Sequence, residues 1–293
     1  MATVRCGGSQ ASTSPPSAAP AVGSSQDTLV YERVVDGNQD IYLAPAGGGK
    51  ERRLTDHAAV DGLPRWRPDG SAIVFSSERS GNWQLWEVSA DGGPARRLRT
   101  NGDREWQADV SRDGRQLAFL SNHDGPESLW LMNLANEATR MLVRHGRRTV
   151  FGNPHWSPDG RRIVFSSNHR IGHQIYVIDI ATGKETQVSG LFSGGCEPRF
   201  HPDGRRVVYV SRGHQRPTSR LVEHDLETGK EKVLVDWSAL NYDPVYSPDA
   251  SEIAFASDMG GKNAIYRLRL SDGKSWQVTF GPGRARYPDY RPR

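Results

Sequence analysis

Six positions that precede short predicted strands carry the residues best suited to chemistry. Two of them, Glu197 and Asp243, are carboxylates, and three more have polar side chains. Carboxylate and amide oxygens are the ligands that a hard cation such as calcium prefers. If the fold brings these positions together, they form a ring around a channel mouth, which we call the collar. Its members are Leu63, Gln107, Asn153, Glu197, Asp243 and Tyr287.

The collar has two interpretations. In the first, its oxygens hold calcium or another divalent cation in the channel, which requires several of them to converge on one point. In the second, which we favour, the collar lines a hydrated tunnel and its polar groups bond to water. The second interpretation predicts a protein that needs no cofactor.

Histidines give two further hypotheses. His155 lies on a predicted inner strand and is the best candidate for an acid or base, because it can approach the channel beside Asp109 and Arg199. The favoured interpretation is a histidine that packs between neighbouring repeats. Four other histidines lie in loops that should point outward, so we expect no transition-metal site from them. They are His123, His169, His173 and His214.

No catalytic motif stands out in the sequence. There is no Gly-x-Ser-x-Gly nucleophile elbow and no glycine-rich phosphate loop, and turns explain the glycines. We therefore expect no catalytic residue. The competing hypothesis is a lyase or hydrolase at the channel mouth that acts on an anionic saccharide, with or without a metal ion. In this hypothesis loop arginines bind carboxylates and Glu197, Asp243 or His155 transfers protons.

A repeated sequence motif predicts the structural elements that position these residues. It reads WRPDGSAIVFSS from Trp66, VSRDGRQLAFLS from Val110, WSPDGRRIVFSS from Trp156, FHPDGRRVVYVS from Phe200 and YSPDASEIAFAS from Tyr246. The aspartates of the five turns are separated by 44, 46, 44 and 46 residues. A period of about 40–45 residues is that of one four-stranded propeller blade.

Each period predicts four strands, named A to D. In the third complete copy they cover 154–157, 161–167, 174–180 and 185–190. Strand B is apolar at nearly every position, as expected of a strand buried on both faces. The aromatic residue before each turn should pack between blades.

The Pro-Asp-Gly turn has a structural explanation. Proline presets φ at the first turn position, glycine tolerates a positive φ, and aspartate accepts backbone N–H bonds. The recurring aspartates are therefore interpreted as structural. Arg112 replaces the proline in one copy and Ala250 replaces the glycine in another, so these two turns should be the weakest.

The two ends of the sequence complete a sixth copy. Residues 28–56 match strands B, C and D, and the C-terminal ARYPDYRPR matches strand A. The predicted fold is all-β: a six-bladed propeller over 27–293, closed by N-terminal strands B–D and a C-terminal strand A. Closure removes free sheet edges. Residues 1–26, rich in Ser, Pro and Ala, are predicted to be a disordered leader or tether.

The loops before the inner strands mix aromatic residues, arginines and carboxylates. This mixture is typical of protein interfaces, although several of these side chains could instead only fill gaps between loops. Outside the collar they are Asp61, Arg104, Glu105, Trp106, Arg147, Arg148, Phe151, Trp237, Tyr242, Arg284 and Arg286. The predicted binding residues are Gln107, Asn153, Glu197, Asp243, Tyr287, His155, Arg148, Arg286 and Trp106.

The repeat resembles the WD-like repeat of TolB-type β-propellers. The resemblance rests on [Trp/Phe/Tyr]-Ser-Pro-Asp-Gly-x-x-Ile-x-Phe-x-Ser followed by Gln-Ile-Tyr-Val-x-Asp, and it covers 28–293. It is specific for the fold but not for function. Similar repeats form the regulatory propeller of prolyl-oligopeptidase-type peptidases and occur in pectin-fragment lyases with a metal in the central cavity.

The resemblance also implies a cellular location and a kind of partner. In TolB the propeller is periplasmic, follows a smaller α/β domain and binds a peptidoglycan-associated lipoprotein and other envelope proteins. We expect no counterpart of the α/β domain here, so a role in the Tol system does not follow. The expected function is a non-enzymatic binding or scaffold propeller that engages a protein or peptide through its loop face, as a monomer.

Charge and the N-terminal residues bear on partners and location. The net charge of +4 is mild and lacks the clustered Lys/Arg of a nucleic-acid binder, and no apolar run approaches the roughly 18 residues of a membrane span. Cys6-Gly7-Gly8-Ser9 resembles the start of a mature bacterial lipoprotein, without the apolar segment that should precede it. We expect a periplasmic or envelope-anchored protein, with the cytoplasm as the alternative, and no disulfide between Cys6 and Cys196.

Overall fold

The fold is all-β, as the repeat predicts. The computed structural model describes residues 27–99, 104–170, 172–190, 194–212 and 217–293. Over these residues the strands form six sheets of four antiparallel strands. None of the described segments is a helix long and apolar enough to cross a lipid bilayer. The leader or tether predicted for 1–26 lies outside the described residues.

The six blades follow one another along the chain, and blade 1 takes strands from both ends. Blade 1 contains β24 (Arg284–Tyr290), β1 (Thr28–Val35), β2 (Asn38–Pro45) and β3 (Arg52–Arg53). Blade 2 contains β4 (Asp61–Trp66), β5 (Ala72–Ser77), β6 (Gln84–Ser89) and β7 (Arg96–Arg97). Blade 3 contains β8 (Glu105–Val110), β9 (Gln116–Ser121), β10 (Ser128–Asn133) and β11 (Thr139–Arg144). Blade 4 contains β12 (Phe151–Trp156), β13 (Arg162–Ser167), β14 (Gln174–Asp179) and β15 (Glu185–Gln187). Blade 5 contains β16 (Cys196–Phe200), β17 (Arg206–Ser211), β18 (Arg220–Asp225) and β19 (Glu231–Val235). Blade 6 contains β20 (Asn241–Tyr246), β21 (Glu252–Ser257), β22 (Ala264–Arg269) and β23 (Ser275–Gln277).

The predicted closure of the ring is confirmed. Strand β24 pairs with β1 in antiparallel register, with Leu29 opposite Tyr290. Arg293 Nη2 lies 3.1 Å from Asp27 Oδ2, so the two ends of the propeller meet. In blade 4 the strand bounds differ from the prediction. Strand β12 begins three residues earlier, because Phe151 and Gly152 already pair with β13, and β15 is shorter because it is an outer strand paired on one side only.

The core lies between blades. Six hydrophobic clusters each combine residues of two neighbouring blades, and together they surround the ring. The aromatic residue before each turn belongs to these clusters, as predicted. Trp66, Trp156, Phe200, Tyr246 and Tyr290 are at most 5% exposed. Burial of so many large side chains at blade junctions couples each blade to the next.

The turn aspartates have the structural role that the sequence predicts. In every complete copy the aspartate accepts a backbone N–H from two residues further on, as from Ser71 to Asp69 and from Arg161 to Asp159, both at 3.0 Å. The copy with Arg112 keeps the turn hydrogen bond, from Gly114 N to Ser111 O at 2.8 Å. Ala250 has a φ of 56°, a conformation that carries a steric cost for any residue with a Cβ.

We expect Ala250→Gly to stabilise the protein by about 1 kcal/mol, because glycine adopts this φ without the clash. Thermal unfolding followed by circular dichroism should show a rise in Tm of about 2–4 °C. The matched control is Gly160→Ala at the same position of blade 4, where φ is 67° and no atom lies within 4 Å of the added Cβ. That control should lower Tm by a similar amount. An unchanged or lower Tm for Ala250→Gly would show that this turn is not weak.

Candidate functional site

The collar positions share an unusual backbone conformation. All six have φ between 50° and 57°, and none of them is glycine. Each lies in a β-bulge, where strand A has one residue more than its partner, as between Gly62 and Arg65 in blade 2. Non-glycine residues in this region cost about 1–3 kcal/mol each and persist only where the surroundings enforce them. The sequence located these positions but did not predict the bulge.

Hydrogen bonds between blades hold the collar. The Asn153 N–H donates to Gln107 Oε1 at 2.8 Å, and the Asp243 N–H donates to Glu197 Oε2 at 2.7 Å. The same pattern links Tyr287 N to Asp243 Oδ2, at 3.1 Å. The side chains of Gln107, Glu197 and Asp243 therefore each accept from the backbone of the next blade. Their acceptor oxygens are therefore already engaged in hydrogen bonds between blades.

Two collar members donate hydrogen bonds to residues that the sequence analysis missed. The Gln107 N–H donates to the Ser76 hydroxyl at 3.1 Å, and the Leu63 N–H donates to Glu32 Oε2 at 2.9 Å. Glu32 lies on β1 in the incomplete N-terminal copy, which has no strand A of its own in sequence. Its contact with Leu63 joins blade 1 to blade 2.

Arg286 bridges the two collar carboxylates. Its Nε lies 2.8 Å from Asp243 Oδ2, and its Nη2 lies 3.0 Å from Glu197 Oε1. Its guanidinium also lies over the Tyr242 and Tyr287 rings, 4.3 and 4.8 Å from their centroids. The predicted carboxylates and arginine thus come together as a buried ion pair. A calcium ion at this point would have to displace Arg286.

Burial changes the protonation of this cluster. Burial, followed by the neighbouring Asp243 carboxylate, raises the pKa of Glu197 well above its usual range. Burial also raises the pKa of Glu32 to about 7, against the opposing effect of the Leu63 N–H. Burial thus favours the protonated forms of Glu32 and Glu197.

Several loop residues are not at the surface, contrary to the prediction. Phe151 and Trp237 are 3% and 9% exposed, because each packs on a phenylalanine of the adjacent strand B. Asp61 and Glu105 are buried in ion pairs with Arg79 and Arg99. For these residues the gap-filling alternative is correct.

Two other predicted residues stay accessible. Trp106 is half-buried, and the Arg104 guanidinium lies 5.0 Å from its ring centroid. Arg148 is exposed in the loop between blades 3 and 4. Neither residue joins the Arg286 ion-pair cluster. Among the described residues of the loop face, these two side chains thus stand apart from the ion-pair cluster.

A cavity of about 480 Å³ opens at the other end of the channel, among the A–B turns. We call it the turn-face cavity. Prolines from five blades line its mouth, and Arg112 takes the corresponding position in blade 3. These residues are Pro68, Pro158, Pro202, Pro248 and Pro292. At the collar end, the gap between Leu63, Gln107 and Asn153 has no room for a water molecule. The cavity with room for a ligand therefore lies among the turns, and binding on the loop face stays a prediction.

Ionisable side chains of strand A line the turn-face cavity. Asp109 Oδ2 accepts the Trp156 N–H at 2.8 Å, and Asp289 Oδ2 accepts the Trp66 N–H at 2.9 Å. Burial raises the pKa of both carboxyls to about 6, while the Arg65 guanidinium opposes the shift. These two aspartates thus titrate much closer to neutral pH than an exposed aspartate does.

His155 belongs to the same cavity. Its Nδ1 accepts the Phe200 N–H of blade 5 at 3.2 Å. Burial lowers its pKa to about 4, so the imidazole is neutral at pH 7 and carries its proton on Nε2. This contact agrees with the favoured interpretation of a histidine that links neighbouring blades.

Fold and site together define a closed six-bladed propeller with a cavity at one end of its channel. The chain belongs to the TolB β-propeller family, because the family model of the TolB beta propeller domain matches residues 8–148 and 148–293. The resemblance found in the sequence is thereby confirmed. TolB from Acinetobacter baumannii superposes with a TM-score of 0.82 at 18% identity, over 92% of this chain and 68% of that one. At this identity the similarity shows the fold alone.

Curated relatives match shorter segments. The Tol-Pal system protein TolB of Gluconobacter oxydans is 32% identical over 86 residues, 29% of this chain and 18% of that protein. Dipeptidyl-peptidase 5 of Porphyromonas gingivalis is 24% identical over 171 residues, 49% of this chain and 25% of that protein. The matched segments span a quarter or less of these relatives, one of which is an enzyme.

Proposed function

We propose that this protein is a non-enzymatic binding propeller of the bacterial cell envelope, which holds an extended segment of a protein partner in the turn-face cavity. The observation that supports this most strongly is the mouth of five prolines with Arg112. Rigid apolar side chains lose little conformational entropy when they contact a ligand. The arginine supplies one cation on the rim, suited to an acidic side chain or a carboxylate of the partner.

The lining of the cavity suits an extended segment. Besides the prolines it includes the aromatic residues Trp66, Trp156, Phe200, Tyr246 and Tyr290 and the carboxylates of Asp109 and Asp289. Apolar walls with a few buried polar groups are the usual composition of a recognition pocket. Relatives named TolB favour a location in the envelope, and neither this function nor its alternative is proposed to need a cofactor.

A photo-cross-linking residue at position 112 tests this proposal. We expect it to capture one protein from a bacterial envelope extract, with the cross-linked peptide identified by mass spectrometry. The matched control places the same residue at position 115, which is exposed outside the cavity. Val245→Phe in the position-112 protein should reduce capture at least tenfold, because Val245 lines the cavity. Equal capture from both positions, or capture that survives Val245→Phe, would contradict the proposal.

A second candidate function is an enzyme that acts on an anionic saccharide in the same cavity. It is favoured by two carboxyls with raised pKa, Asp109 and Asp289, in one cavity with the neutral His155. Groups that titrate near neutral pH suit acid–base catalysis. Glu197 and Asp243 do not suit it, because Arg286 holds both. Release of unsaturated or reducing ends from uronate oligosaccharides, lost in Asp109→Asn, would support this candidate over the first.

A further inference from the structure

Two histidines and a glutamate meet outside the channel, at the junction of blades 3 and 4. His145 follows β11, His169 follows β13, and Glu185 begins β15. His145 Nε2 lies 3.2 Å from Glu185 Oε2. The imidazoles of His145 and His169 stack, with centroids 3.8 Å apart and planes inclined by 13°. One ligand atom from each residue lies within 4.8 Å of the other two.

We propose that His145, His169 and Glu185 bind one Zn²⁺ ion, with water as the fourth ligand. Imidazole nitrogens and a carboxylate are ligands that zinc accepts, and three protein ligands leave one position open. In a tetrahedral site with bonds of about 2.0–2.2 Å, neighbouring ligand atoms are about 3.3–3.6 Å apart. The distance of 3.2 Å between His145 Nε2 and Glu185 Oε2 is close to that value, and the stacked rings of His145 and His169 must turn apart to direct one nitrogen each at the ion.

The surroundings of His169 orient it as a ligand. Its Nδ1 lies 3.1 Å from the Ser167 hydroxyl, which leaves Nε2 for the metal. A partner at the second ring nitrogen is typical of histidines that ligate metals.

A buried hydroxyl beside the cluster is a second observation. Tyr176 is 1% exposed, and its ring centroid lies 4.3 Å from that of His169. Within the described residues its hydroxyl has no hydrogen-bond partner. A buried hydroxyl without a partner is costly. Water on the zinc ion would supply the missing partner.

At another blade junction, the positions that correspond to these three ligands hold no metal-binding residue. Between blades 5 and 6, Met259 and Ser275 stand where His169 and Glu185 stand here. In the preceding loop Trp237 packs on Phe255 and Tyr266, with centroids 5.1 and 5.6 Å apart. That junction is filled by an apolar aromatic cluster. The polar set between blades 3 and 4 is therefore not required by the propeller fold.

Titration of the full, tag-free chain with zinc chloride by calorimetry tests the proposal. We expect one equivalent to bind, with the affinity lowered more than tenfold in His145→Ala and in His169→Ala. The control is His173→Ala, an exposed histidine four residues beyond His169, which should bind as the native chain does. Zinc should also raise Tm of the native chain and not that of His169→Ala.

Three results would overturn the zinc site. They are binding unchanged by His145→Ala and His169→Ala, an equal loss in His173→Ala, and several weak equivalents with no rise in Tm. If His145→Ala does not fold, Glu185→Gln is used, since its half-buried side chain begins an outer strand. This test is independent of the proposed function, because the three ligands do not line the turn-face cavity.

Discussion

Removal of residues 284–293 lowers the free energy of unfolding by at least about 5 kcal/mol, comparable to the whole stability of many domains. The deletion removes β24, and with it the buried Ala285 and Tyr290 and the bond from Trp66 N to Asp289. It also exposes the edge of β1, including Leu29, which is fully buried in the closed ring. Thermal unfolding followed by near-ultraviolet circular dichroism should show a large fall in Tm and a broader transition.

A permuted chain provides the matched control for this deletion. It begins at residue 281 and joins 293 to 27 through a short glycine–serine linker, which the 3.1 Å contact between Arg293 and Asp27 permits. Because β24 then precedes β1 in sequence, all contacts of blade 1 remain. We expect its Tm within a few degrees of that of the native chain. A truncated chain that keeps its Tm would contradict the closure.

The substitution Arg286→Met should also lower the free energy of unfolding by a large amount. It leaves Glu197 and Asp243, whose side chains are 12% and 2% exposed, buried without a cation. Removal of one partner of a buried ion pair costs about 3–5 kcal/mol, and we expect this loss at pH 8 in urea unfolding.

The loss should become smaller at low pH. The pKa of Glu197 is already raised by burial and by Asp243, and loss of the guanidinium raises it further. A carboxyl whose folded pKa exceeds its unfolded value loses stability as the pH rises between the two values. Below a pH of about 8 both chains keep the proton on Glu197, so the difference between Arg286→Met and the native chain should grow from pH 7 to pH 9.

Neutral substitutions provide the control for Arg286→Met. Adding Glu197→Gln and Asp243→Asn keeps an oxygen that can accept the N–H groups of Asp243 and Tyr287. This triple variant should recover much of the lost stability and lose the pH dependence of the single variant. A single variant with the same deficit at pH 7 and pH 9 would show that the ion pair is not the cause.

The fold could be predicted because the residues that define each blade lie close to one another in sequence. The Pro-Asp-Gly turn and the apolar strand B recur at a fixed period, and both work through near neighbours in the chain. The fragments at the two ends, matched to the same pattern, predicted the closure between β1 and β24.

The site was less predictable, because its contacts join different blades. The positive φ at the collar depends on the pairing of strand A with strand B. The bridge from Arg286 to Glu197 joins residues far apart in sequence, and His145 meets His169 only across a blade junction. Composition also does not show whether a loop aromatic such as Trp237 is exposed or buried. The turn-face cavity depends on the shape of the whole ring, for which no local signal exists.

The shared strands of blade 1 also order events during synthesis. Strands β1 to β3 leave the ribosome first, yet β24 follows β3 by more than 200 residues. Until then β1 is an open edge that can pair with another chain. Folding intermediates therefore expose an unpaired strand edge for most of translation. A chaperone that covers β1 would reduce aggregation more than one that binds any later strand.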